Sequence, residues 1–151
     1  MTRREFLKGS RPKHDRIPII YKEKCTGCGL CVVNCPTRAL TISQGTEDNT
    51  YQLLFRHDLC NVCGICEKSC PENCLKLERI LELDRRGDSA TVVFEDRTSR
   101  CHGCGIPLFP LAMVNHLKSK ISPDGEAPFT FNLCPYCQIK IQLGREIVTK
   151  K

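Results

Sequence analysis

The chain has 151 residues, thirteen of them cysteine, with 6% aromatic residues and no tryptophan. Apolar burial alone cannot build a large core in one or two domains this small, so disulfides or metals must staple it. The net charge of +6 sits in an arm: residues 1–24 hold eight Lys/Arg against three Asp/Glu (+5) and the rest fifteen against fourteen (+1), leaving no basic, aromatic-rich face for nucleic acid.

The arm begins Thr2-Arg3-Arg4-Glu5-Phe6-Leu7-Lys8, which resembles the twin-arginine export signal. Export requires an apolar stretch of about 7–15 residues behind the basic start. Here GSRPKHDR follows, with no apolar run and no small-residue cleavage site, so the expectation is a protein that stays in the cytoplasm. The basic arm, 1–16, suits docking on an acidic partner or near anionic lipid, or is simply a solvated tail. The longest apolar run, Ile106 to Val114, has nine residues and two prolines, whereas a membrane span needs roughly 20.

Next comes a repeat. CTGCGLCVVNCPTRAL (25–40) and CNVCGICEKSCPENCL (60–75) align without gaps at an offset of 35, sharing four cysteines, a glycine, the proline and the last leucine. Such repetition marks duplicated units that share a core. β-prone stretches flank each unit: IPIIY (17–21) and LTIS (40–43), then YQLLF (51–55) and LKLERILEL (75–83). The proline after each fourth cysteine is expected to open a short helical turn. QGTEDN (44–49) reads as the polar turn between the halves.

Each unit is C-x2-C-x2-C-x3-C-P, the bacterial ferredoxin signature for [4Fe–4S] clusters, in which the fourth cysteine serves the other cluster. Three thiolates come from a loop tight enough to curl around one face of a cubane, with Gly27, Gly29 and Gly64 in the gaps. On this rule one cluster takes Cys25, Cys28, Cys31 and Cys70, and the other takes Cys60, Cys63, Cys66 and Cys35. Two such motifs in register disfavour a disulfide framework, as does a reducing compartment. Cys74 is left over: it falls where the first repeat has Ala39, and reads as a small buried apolar residue rather than a ligand.

Between Arg79 and Arg100 two β-prone runs flank DRRGDS, so 79–98 reads as a hairpin or linker. Then come CHGC (Cys101, Cys104) and CPYC (Cys134, Cys137), paired knuckles suited to a tetrahedral, closed four-thiolate site. Structural Zn2+ is the preferred ion, with mononuclear, rubredoxin-like iron as the rival and disulfides as a third reading. His102 and His116 are not needed as ligands. FPLAMVNHLKSKI (109–121) places Leu111, Val114, Leu117 and Ile121 at helical spacing behind Pro110, a helix expected to close on the small core of this segment. The expected fold is therefore α+β: a duplicated 2[4Fe–4S] ferredoxin domain over 17–78, then a zinc-ribbon-like segment over 99–145.

The whole arrangement resembles the small iron–sulfur subunit of formate hydrogenlyase and related energy-converting [NiFe] hydrogenases, itself similar to the ferredoxin-like subunit of respiratory complex I. SRCHGCGIPL and LCPYCQ carry that part of the likeness; the ferredoxin part is shared very widely. The resemblance implies a relay without a catalytic site of its own. It would pass electrons between an input module, such as a formate dehydrogenase, and a [NiFe]-hydrogenase-like small and large subunit pair, on a cytoplasmic arm near a membrane part made by other chains. The charged arm departs from the pattern and leaves the docking mode open. A free soluble ferredoxin, or the electron-transfer subunit of a molybdenum or tungsten oxidoreductase, are the alternatives. An independent enzyme lacks support: the chain has no nucleophile–base pair and no glycine-rich nucleotide loop.

Overall fold

A computed structural model describes residues 15–44, 49–79, 90–121 and 132–144. The twin-arginine-like stretch, most of the basic arm, the centre of the 44–49 turn and the DRRGDS turn lie outside the described residues. In chain order the elements are β1 (Arg16–Ile20), α1 (Leu30–Val33), β2 (Leu40–Gln44), β3 (Thr50–Phe55), a 3-10 turn (His57–Leu59), α2 (Ile65–Lys68), β4 (Leu75–Arg79), β5 (Thr91–Arg100), β6 (Pro107–Pro110), α3 (Leu111–Ile121) and α4 (Pro135–Gln142). The fold is mixed helix and strand.

The two repeats are interleaved. β1 of the first pairs antiparallel with β4 of the second, with Ile20 opposite Leu75; β2 of the first pairs antiparallel with β3 of the second, with Leu40 opposite Phe55. Neither repeat closes on itself. Positions related by the offset of 35 are buried alike, as Ile20 with Phe55, Ala39 with Cys74, and Leu40 with Leu75. This shared core comes from strict alternation on β3, where Tyr51, Leu53 and Phe55 face inward. Phe94 of β5 completes it, meeting Tyr51 edge to face at 6.4 Å between ring centroids.

The helices fall one step earlier than the sequence suggests. α1 and α2 carry the third cysteine of each motif and end before Cys35 and Cys70. The residue preceding a proline is disfavoured in the helical region, so α1 and α2 stop before Cys35-Pro36 and Cys70-Pro71, which lead into turns. Arg38 and Asn73 complete those turns at φ of 54° and 49°.

The first run of the hairpin expected across 79–98, residues 80–83, lies outside the described residues. β4 pairs with β1, whereas β5 adds to the other sheet, giving the order β2-β3-β5-β6. β5 is ten residues long and its pairing with β3 shifts register between Leu53 and Leu54. One strand thus extends the sheet of β2 and β3 and leads into Cys101 at its end.

Pro107 and Pro110 fall on β6, the edge of this sheet, where a missing donor is tolerated, so residues 107–110 form a strand and the helix starts at Leu111. Of the four apolar positions expected to face inward, Val114 is buried, while Leu111 and Ile121 are 37% and 54% exposed. The helix does not close on the cysteine knuckles. Ala112 packs on the main core, and the second core consists of Cys101, Cys134 and Cys137 with Leu108 and Leu133 against them. Asp96 of β5 holds the start of α3: its carboxylate accepts from the Ala112 N–H at 2.7 Å, satisfying one of the free donors of the first turn. Asp96→Ala should lower stability by about 1 kcal/mol, read as a fall in thermal midpoint; an unchanged midpoint would show that water replaces the cap.

Candidate metal centres

The loop from Cys25 to Cys31 folds tightly because Gly27 and Gly29 adopt left-handed backbone, φ 67° and 74°. Gly64 does the same in the second loop, φ 74°. The loops differ in what covers them. A Cβ on Gly27 would lie 2.9 Å from Pro110 and 3.2 Å from Tyr51, whereas one on Gly64 would meet nothing within 4 Å. The buried Tyr51 hydroxyl also donates to the Gly27 carbonyl at 2.7 Å. Both Gly→Ala changes incur the left-handed cost of about 1–2 kcal/mol, and Gly27→Ala adds overlap worth about 1–3 kcal/mol. Thermal unfolding should therefore rank Gly27→Ala clearly below Gly64→Ala. Equal midpoints would mean that Pro110 yields freely.

Two cavities lie under these loops. One is lined by Cys25, Cys28, Cys31 and Cys70, together with Cys74. The other is lined by Cys60, Cys63, Cys66 and Cys35. Each thus gathers the three loop cysteines of one repeat and the fourth motif cysteine of the other, a consequence of the interleaved strands, and the first cavity adds Cys74. Apolar side chains complete the walls, among them Ile20, Leu53 and Leu75 in the first and Leu40, Phe55 and Leu77 in the second.

Two of the more buried thiols, Cys31 and Cys66, are poorly placed to ionise alone. Burial pushes Cys31 up to about 12, with the charges of neighbouring thiolates adding to it, and burial likewise pushes Cys66 up to about 11. Four thiolates at such close quarters need a compensating cation, the environment that an iron–sulfur cluster supplies. Some anion-stabilising donors are already in place. Burial also acts to raise Cys35, but N–H groups of Leu40, Ala39 and Thr37 and the Thr37 hydroxyl prevail and lower it. Val62 N–H points at Cys60 Sγ, and Cys74 N–H at Cys70 Sγ, each at 3.4 Å. These residues fit the group.

The third set is separate. The Sγ atoms of Cys101, Cys104, Cys134 and Cys137 all lie within 4.8 Å of one another. Cys104 and Cys134 Sγ are 3.7 Å apart, close to the ~3.8 Å edge of a tetrahedron with metal–sulfur bonds of about 2.3 Å. Burial raises the Cys101 thiol, but N–H groups of Cys134, Cys104 and Gly103 overcome it and hold it at about 6. Cys134 caps α4, with Pro135 behind it in the first turn. All thirteen cysteines are free thiols. The four form a metal site that fits a zinc-ribbon-like segment.

Comparison with known families agrees on the central part of the chain. Residues 24–74 match a 4Fe-4S dicluster domain. No curated protein matches the chain. The chain therefore contains a ferredoxin-like iron–sulfur unit of the electron-transfer type, covering about a third of its length. No helix among the described residues is long and apolar enough to cross a membrane.

Three contacts at the site escape sequence reading. His116 Nε2 lies 3.3 Å from Glu72 Oε1, tying α3 to the turn after Cys70. Tyr51 reaches back to Gly27, and Cys74 Sγ lies 3.4 Å from Cys70 Sγ. Only the last left a trace in the sequence, as the position where the repeat breaks.

Proposed function

We propose that this chain is an electron-relay subunit, carrying single electrons through two [4Fe–4S] clusters inside a larger oxidoreductase. The observation that carries this reading is the pair of cavities, each ringed by three cysteines of one loop and the fourth of the other. In this reading Cys25, Cys28, Cys31 and Cys70 hold one cluster, and Cys60, Cys63, Cys66 and Cys35 the other. Bound there, the clusters supply one-electron redox chemistry. The chain supplies the thiolates, an apolar wall that excludes water, and N–H groups that stabilise negative charge on sulfur.

At the third site the reading is structural Zn2+ held by Cys101, Cys104, Cys134 and Cys137, closed by four thiolates and redox-inert. Its role is to fold the C-terminal segment, whose short helix α4 leaves Tyr136 and Ile139 exposed at 63% and 54%.

The host complex in this proposal is of the formate hydrogenlyase or energy-converting [NiFe] hydrogenase type, at the cytoplasmic face of a membrane arm built by other chains. The support is the likeness of SRCHGCGIPL and LCPYCQ to the tail of that subunit family. Anaerobic affinity capture from the native organism in mild detergent tests it. Recovery with a [NiFe]-hydrogenase-like subunit pair and membrane proteins is expected. Recovery alone in the soluble fraction would sink the relay reading in favour of a free ferredoxin.

A further inference from the structure

The repeat is broken at one buried position. Where the first repeat has Ala39, 1% exposed, the second has Cys74, 3% exposed. Ala39 lines the cavity of Cys35, Cys60, Cys63 and Cys66, while Cys74 lines that of Cys25, Cys28, Cys31 and Cys70. One cavity is thus ringed by four thiols and its pseudo-symmetric twin by five. Cys74 Sγ lies 3.4 Å from Cys70 Sγ and also reaches the Cys25 side chain.

We propose that Cys74 raises the reduction potential of the first cluster by donating an S–H···S hydrogen bond to a ligand thiolate. The proposal rests on the ligand assignment given above. A metal-bound cysteine is a thiolate and can only accept, so the proton between Cys70 and Cys74 must belong to Cys74. Reduction adds negative charge to the cluster and its sulfurs, so a donor aimed at a ligand sulfur favours the reduced form and raises the potential. Cys25 and Cys70 border the same cavity, so the sign is the same whichever of them accepts. A thiol is a weak donor, but water is excluded here and the acceptor is charged, both of which strengthen the bond. Cys74 is a positioning residue; it acts through a ligand and binds no metal itself.

The test is a reductive titration of the anaerobically purified holoprotein, followed by electron paramagnetic resonance. The variants are Cys25→Ala, Cys74→Ala, Cys74→Ser and Ala39→Cys. Cys25→Ala identifies the signal of the first cluster by removing it. Cys74→Ala should then move that signal's midpoint down by roughly tenfold in the reduction equilibrium, about 59 mV for one electron, and leave the other midpoint in place. Cys74→Ser, which keeps a donor, should retain most of the potential. Ala39→Cys should raise the midpoint of the second cluster instead.

Two intact clusters with unmoved midpoints in Cys74→Ala would overturn the inference. If that variant fails to load, Ala39→Cys decides: a raised second midpoint supports the inference and an unmoved one overturns it. If Cys25→Ala removes neither signal, the ligand assignment has failed and this inference falls with it. That failure is separable from one confined to Cys74.

Discussion

Cys35→Ala should strip the second cluster and spare the first. Cys35 sits in the first repeat, yet it lines the cavity of Cys60, Cys63 and Cys66. Its loss leaves three thiolates at a site that needs four, and about half of the cluster iron and sulfide should go with it. The surviving paramagnetic signal should be the one that Cys25→Ala abolishes. Iron content unchanged from the parent would refute the crossed ligation. Loss of the signal that Cys25→Ala also abolishes would show that each loop keeps its own fourth cysteine. The effect should be local, because Cys35 is only partly buried and the paired strands β2–β3 and β1–β4 do not depend on it.

Cys101→Ser should unfold the C-terminal segment while leaving both cluster signals in place. Against the upward push of burial, N–H donors hold the Cys101 thiol at about 6, and its sulfur accepts from Cys134 N–H at 3.2 Å. Among the described residues the second core is little more than Cys101, Cys134 and Cys137 with Leu108 and Leu133. Nothing else of size among the described residues holds α4, and structural zinc typically contributes about 10–16 kcal/mol to such segments. Limited proteolysis should therefore cut between β6 and the C-terminus much faster than in the parent. Metal analysis should show one zinc lost per chain, with cluster iron retained. Loss of one iron together with a visible absorption band would assign mononuclear iron instead. The same cleavage rate as in the parent would mean that the metal is dispensable for folding.

Much of this was legible in the sequence because a repeat states its own constraints. Two aligned motifs name the eight cysteines that line the cavities, and the alternation in YQLLF marks Tyr51, Leu53 and Phe55 as the inner face of β3. The knuckles at 101–104 and 134–137 are likewise readable from spacing, since four thiolates separated in pairs have few other uses. What was not legible depends on contacts distant in the chain. That β5 adds to β3, about forty residues earlier in the chain, has no local mark in its own sequence. The apolar stripe of α3 reads as a core face, but β5 and β6 cover only part of it, leaving Leu111 and Ile121 partly exposed. No helix follows Pro36 or Pro71 because Arg38 and Asn73 turn left-handed two residues on, at φ 54° and 49°.

The interleaving of the repeats sets a schedule for biosynthesis. Cys25, Cys28 and Cys31 leave the ribosome 39 or more residues before Cys70, the wall that completes their cavity. At roughly 5–20 residues per second this is an interval of about 2–9 s. Over that interval the nascent chain offers three thiols in an open loop. Cys35 likewise waits for Cys60, Cys63 and Cys66. Neither cavity can exist in a chain shorter than about 70 residues, and both come into being within a few residues of each other. Cofactor delivery therefore has one opening rather than two, after the second loop has been made. Until then, the thiols of the first loop depend on the reducing power of their surroundings to remain usable.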